Sequence, residues 1–214
     1  MRTLLDLMLP ARCGGCGTAG TPWCADCAAV LTRPPVRVRP RTDPGVPCWA
    51  LGPYAGPARR AVLAMKEHGR RDLARPLGDA LAAGLARLRA PGRTLILVPA
   101  PSRRVAARRR GGDPVLRTAA AAAGSLEDCQ VVPALRLWWG ARDSVGLTSG
   151  ERRRNLEGRI HALPIPGARA SYTGFAEVVV VDDVLTTGAT VGESVRALGR
   201  VGYSVRGVLV TCAA

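Results

Sequence analysis

The chain has 214 residues, 47% of them hydrophobic and 22% charged, which excludes a disordered class and leaves room for one core of moderate size with a small appendage. A net charge of +15 sets up a strong positive field, so the partners to expect are phosphates, either small polyanions or nucleic acid. No apolar run approaches the ~18 residues that a membrane-spanning helix needs, and an aromatic content of 4% leaves the core to Val, Leu and Ala.

The N-terminal MRTLLDLMLPARC does not read as a signal peptide. Asp6 interrupts its apolar run and Arg12 stands where a small residue would precede cleavage. It is expected to be a short amphipathic segment of a cytoplasmic protein. CGGC and CADC follow, placing Cys13, Cys16, Cys24 and Cys27 as two C-x-x-C pairs. Four thiolates at this spacing suit one tetrahedral zinc ion of the structural kind, with no open position for catalysis. Two disulfides or a redox dithiol are the alternatives, and a reducing compartment disfavours the disulfides. A knuckle this small takes its folding energy from the metal, so Cys13→Ser is expected to lower zinc content and knuckle stability while leaving ligand affinity elsewhere in the chain mostly intact. Cys48, Cys129 and Cys212 are isolated and read as small buried hydrophobes.

The proline density of LTRPPVRVRPRTDPGVP (31–47) predicts an extended linker. It divides residues 1–45, knuckle and linker, from a second domain over 46–214. Helical periodicity then runs through GPARRAVLAMKEHG, with Gly69 as its C-cap. LAMKEHG holds a singular residue: of 31 Lys plus Arg, 30 are arginine and one is Lys66. Arginine is a flat fork and lysine a compact charge on a flexible stem, so the exception marks Lys66, in the last turn of its helix, as a candidate site residue. A plain helix-end charge complementing the dipole is the alternative.

A second helix fits 72–90, and TLILV (94–98) reads as a buried strand. A helix follows with Asp113 as N-cap, Pro114 as its first residue and a stop at Gly124. EVVVVDD is a second buried strand, with Glu177 before it expected on the surface. GATVGESVRALGRVG is a helix and VRGVLVTC a closing strand. Strands alternating with helices predict an α/β domain with a largely parallel sheet, whose ligands bind at the carboxyl ends of the strands.

That rule points to VVVVDDVLTTGAT, residues 178–190. Thr186, Thr187, Gly188, Ala189 and Thr190 form a small-residue loop opening a helix, where backbone N–H groups and the helix dipole cradle a phosphate. Asp182 and Asp183 repel phosphate but can accept hydrogen bonds from sugar hydroxyls or hold Mg²⁺ through water. Together they suit a sugar phosphate, and no Walker loop competes with them.

The same segment resembles the thirteen-residue binding motif of type I phosphoribosyltransferases. The resemblance implies a phosphoribosyltransferase-like fold and 5-phosphoribosyl-1-pyrophosphate, with Mg²⁺, as ligand. A cysteine knuckle before such a domain is similar to the ComF family. LLDLMLPARCGGCG, YAGPARRAVLAMKEHG, LVPAPSRR, RRRGG, VGLTSGERRRNLEG and VVVVDDVLTTGAT stand in family order over nearly the whole chain. The chain departs from the family at two places: Gly112, Asp113 and Pro114 follow the arginine-glycine element where the family has an aromatic residue and Asn-Gln, and Ser144 replaces a glutamine. The resemblance implies that Asp182, Asp183 and Lys66 take part in phosphoribosyl transfer to an unknown acceptor. It also implies that Arg103 and Arg104, in the loop after the first core strand, hold the departing pyrophosphate, with Lys66 as a third cation.

A non-catalytic alternative keeps the ribosyl-donor site as a sensor and uses the basic surface for single-stranded DNA. The family's association with competence and DNA uptake also suggests DNA-processing partners. Arg108, Arg109, Arg110 and Arg152 are the candidate contacts, with Trp138 and Trp139 as stacking faces or, equally, as packing against the sheet. His68 and His161 show no ligand spacing.

Overall fold

The structure, a computed structural model, describes residues 11–102, 112–138, 149–165 and 176–214. Among the described residues the first helix, α1 (Ala25–Ala29), belongs to the cysteine knuckle, and Asp26 in its first turn complements the dipole. The linker then contributes β1 (Val36–Val38), followed by β2 (Cys48–Pro53). Helix α2 (Gly56–Glu67) buries Ala58, Ala61, Val62 and Met65, its apolar residues recurring at three- and four-residue spacing. It stops where Gly69 takes φ 62°, the left-handed conformation that glycine adopts without strain. A 3-10 turn (Arg71–Leu73) leads into α3 (Ala74–Leu88) and β3 (Thr94–Pro99). In α4 (Pro114–Gly124), Asp113 is the N-cap: its carboxylate accepts from the backbone N–H groups of Val115 and Leu116.

Three short strands follow, β4 (Cys129–Val131), β5 (Leu135–Leu137) and β6 (Ile160–Ala162), with α5 (Ser149–Leu156) between the last two. The chain ends on β7 (Ala176–Leu185), α6 (Ala189–Arg200) and β8 (Val205–Ala213). Six strands form one sheet in the order β1-β2-β8-β7-β3-β4. All neighbours run parallel except β1, which lies antiparallel on β2. The α/β class with a mostly parallel sheet and flanking helices is as the alternating pattern predicts. Strands β5 and β6 make a separate antiparallel pair against α6.

The sheet is covered on both faces, which is why its strands read as continuous apolar runs. Val179 and Val181 pack with α2, α3 and α4, while Val178 and Val180 pack with α6 and the β5–β6 pair. After β3 the chain moves outward to β4; after β7 it moves the other way to β8. The carboxyl ends of β3 and β7 therefore flank the point where the winding reverses, the usual place for a ligand crevice in such sheets.

Two readings need correction. The linker is extended as expected, yet three of its residues join the sheet, with Val36 opposite Ala50 and Val38 opposite Cys48. Pro35 and Pro40 bracket β1 and keep it short, as befits an edge strand. Glu177 is buried and not on the surface. Its carboxylate accepts from the N–H of Ala90 at 3.2 Å and pairs with Arg206 at 3.4 Å, the partners a buried charge requires. Cys48 and Cys212 are buried as expected, and Cys129 is half-buried. Among the described residues, no helix is long and apolar enough to cross a membrane.

Candidate functional site

The pairing of β3 with β7 ends at Pro99 opposite Val181, whereas β7 continues against β8 as far as Leu185 opposite Ala213. Asp182 and Asp183 lie on that overhang, next to a side left free by β3. The strand thus runs past the two acids instead of ending at them. Asp182 Oδ1 accepts from the backbone N–H of Asp183 at 2.8 Å. Lys66, coming from the last turn of α2, donates its Nζ to Asp183 Oδ1 at 2.7 Å.

This contact bridges 117 residues of sequence and places all three proposed catalytic residues in one cluster. It also gives the lone lysine a definite partner. Its ammonium neutralises one of two adjacent carboxylates, a task for a single flexible point charge. Burial works to discharge Lys66, but the charges of Asp183 and Asp182 outweigh it and raise its pKa.

Asp182 shows the opposite balance. Burial, then repulsion from Asp183, pushes its carboxyl up to about 8 despite Lys66 nearby. An unfolded aspartate titrates near 3.9. Between those values the folded chain binds a proton that the unfolded chain has released, so this group's contribution to stability falls as pH rises from about 4 to 8. Asp182→Asn cannot ionise and should remove that slope. Thermal melts without Mg²⁺ should show the variant gaining on wild type between pH 5 and pH 8; parallel pH profiles would contradict a neutral Asp182.

Beyond the acids, Thr186 to Thr190 turn into α6. Gly188 is the N-cap with φ 84° and, having no side chain, makes no cap hydrogen bond of its own. The helix's first-turn N–H groups therefore face the loop, and the dipole adds partial positive charge there. The Thr187 hydroxyl accepts weakly from the Ala189 N–H at 3.4 Å. This arrangement suits an oxyanion.

The linker also reaches this loop. Thr42 N–H donates to Thr187 O at 2.8 Å. A Cβ on Gly188 would lie 2.5 Å from Thr42 O and 2.7 Å from a Pro40 side-chain carbon. Residues 40–42 thus form a strap across the loop that no sequence pattern announced. At the end of β3, Ser102 Oγ donates to Asp113 Oδ2 at 2.6 Å, tying that strand's exit to the cap of α4. Asp113 thus has a structural role here. Arg103, Arg104, Arg108, Arg109 and Arg110 lie outside the described residues, as do Trp139 and Ser144. Arg152 falls on α5, and its side chain is not among those described.

The four cysteines of the knuckle come together as the spacing predicts, their sulfurs all within 4.8 Å of one another. Cys24 Sγ stands 3.7 Å from Cys13 Sγ and 3.6 Å from Cys16 Sγ. A tetrahedral zinc with Zn–S bonds of about 2.3 Å spaces its sulfurs by about 3.8 Å. No disulfide joins the described cysteines. Burial alone would raise the Cys13 thiol, but backbone N–H groups including those of Gly15 and Cys24 bring it down to about 6. That environment favours the thiolate a metal needs. Gly15 has no room for a side chain, since a Cβ would lie 2.6 Å from Cys27 Sγ. These residues fit a structural zinc, and purified protein should carry about one zinc per chain by elemental analysis. Cys24→Ser should lose most of it; a metal-free wild type with an ordered knuckle would contradict the assignment.

The chain matches no family model and no curated protein.

Proposed function

We propose that this chain is a phosphoribosyltransferase-like protein of the ComF type that binds 5-phosphoribosyl-1-pyrophosphate with Mg²⁺. In this reading it transfers phosphoribose to an acceptor and releases pyrophosphate. The observation that carries the reading is the juxtaposition of two acids near the end of β7, one held by Lys66, with the N-terminus of α6, whose first residue comes six positions after Asp183. The loop Thr186 to Thr190 would take the 5-phosphate. Asp183, and Asp182 once ionised, would accept from the ribose hydroxyls.

Mg²⁺, bound with the donor, would supply charge to stabilise the leaving pyrophosphate. The Asp182–Asp183 pair would hold it through water. In the transfer, the bond from the anomeric carbon to the pyrophosphate oxygen breaks. A bond to the acceptor's nucleophile forms, and the acceptor's proton is lost. Lys66, on a mobile stem, can exchange Asp183 for the pyrophosphate as negative charge arrives. Arg103 and Arg104 would complete the binding of the leaving group. Incubation with the donor, Mg²⁺ and a panel of bases and oligonucleotides should release pyrophosphate with one acceptor. Donor binding without release for any acceptor would favour the sensor reading.

A specific observation supports that second reading as well. Trp138 is 63% exposed, its ring tilted against His161 at 5.3 Å between centroids. Such a face can stack a nucleotide base. If the basic surface tracks single-stranded DNA, replacing Arg108, Arg109 and Arg110 with alanine should weaken binding and flatten its salt dependence. Wild-type protein with no salt-sensitive DNA binding would exclude it.

A further inference from the structure

We infer that the cysteine knuckle is a positioning element for Lys66, so that metal in the knuckle and ligand at the Asp182–Asp183 site stabilise each other. The sequence presents the knuckle as a separable appendage, but its contacts are with the very helix that carries the lysine. Arg60, within α2, donates its Nε to the carbonyl of Gly15. Arg70, just past the end of α2, donates to the carbonyl of Arg12 at 2.8 Å and is oriented from its other side by Asp72 at 2.7 Å. Lys66 lies between these two attachment points. Beneath them, Leu73 is fully buried against Gly14, where even a Cβ would come within 2.5 Å of its methyl group.

Gly15 links the two functions in one residue. Its N–H donates to Cys13 Sγ, while its carbonyl accepts from Arg60. Whatever fixes the thiolates therefore fixes the acceptor that holds α2. From the other side, the linker that leaves the knuckle ends in the strap, with Thr42 bonded to Thr187. Residues 12–42 thus touch the site twice, at the lysine helix and at the phosphate loop. If the metal orders this segment, binding free energy at one site is shared with the other, and the coupling must be reciprocal. The knuckle is then not an independent unit: Cys13→Ser should weaken sugar-phosphate binding, contrary to the expectation from sequence.

The metal arm of this inference stands without the function proposed above, and the ligand arm rests on it. Amide exchange on the full-length protein tests the first. Removing zinc should speed exchange at residues 64–73 while leaving Pro114–Gly124 in α4 protected. Unchanged exchange at 64–73, or equal loss of protection in both segments, would overturn it. Zinc release to a chromophoric chelator tests the second. Saturating 5-phosphoribosyl-1-pyrophosphate with Mg²⁺ should slow release about fivefold or more. Arg60→Ala combined with Arg70→Ala should keep its zinc but abolish the slowing. Donor that binds by calorimetry yet leaves the release rate unchanged would overturn the coupling alone. Donor that does not bind at all would overturn the proposed function and the ligand arm, while amide exchange still decides the metal arm.

Discussion

Gly188→Ala should lower affinity for ribose 5-phosphate and for the ribosyl donor at least tenfold and reduce the melting temperature by several degrees. Gly188 sits at φ 84°, where an L-residue incurs about 1–2 kcal/mol. The added methyl would also meet the Thr42 carbonyl oxygen at 2.5 Å and Pro40 at 2.7 Å. Neither neighbour is a flexible side-chain end, so the loop or the strap must move. A shift of either changes the direction of the first-turn N–H groups of α6. For a chain of this size, about 2 kcal/mol corresponds to roughly 4–8 °C in melting temperature. Gly199→Ala in the same helix is the control: its methyl meets nothing within 4 Å and the residue has ordinary helical φ, so stability should hold or rise. Normal sugar-phosphate binding by Gly188→Ala would mean that this loop is not the cradle.

Lys66→Ala should weaken donor binding at least tenfold, since a charged hydrogen bond to the ligand contributes about 1.5–3 kcal/mol. The loss should be greater for 5-phosphoribosyl-1-pyrophosphate than for ribose 5-phosphate, which lacks the pyrophosphate. The structure adds a second consequence. Without Lys66, Asp183 loses its partner at 2.7 Å and stands beside Asp182 with no other ion pair among the described residues. Lys66→Ala should therefore also lose stability as pH rises, and Asp183→Asn in the same background should restore it. Lys66→Arg keeps the charge and the helix-end position but replaces a point donor with a planar fork. It should retain stability better than donor binding. Unchanged donor affinity and turnover in Lys66→Arg would leave the lone lysine as a helix-end charge only.

The elements that were legible in sequence carry their signal locally. The valine run of β7, the Asp113-Pro114 start of α4 and Gly69 after α2 each depend on neighbours a few residues away. The acids and the TTGAT loop were legible because strand, turn and helix start lie within thirteen residues. What escaped was long-range. Nothing near Lys66 in the chain signals Asp183, and nothing in the linker's prolines signals that Thr42 closes over Thr187. Glu177 looked exposed because the residues that accommodate its charge, Ala90 and Arg206, come from elsewhere in the chain. Strand β2 is short and runs into Gly52 and Pro53, so its apolar stretch gave no period to read. The knuckle's spacing revealed its ligand set but not its docking, because docking uses backbone carbonyls of Arg12 and Gly15 that any residue would supply.

Calorimetric titration of the zinc-loaded chain with 5-phosphoribosyl-1-pyrophosphate and Mg²⁺, against ribose 5-phosphate and against Asp183→Asn, tests the central claim most directly. The account predicts saturable binding of one donor per chain, tighter for the donor than for ribose 5-phosphate, with both weakened in Asp183→Asn. Absence of saturable binding by either sugar phosphate, or equal affinities in wild type and Asp183→Asn, would contradict it.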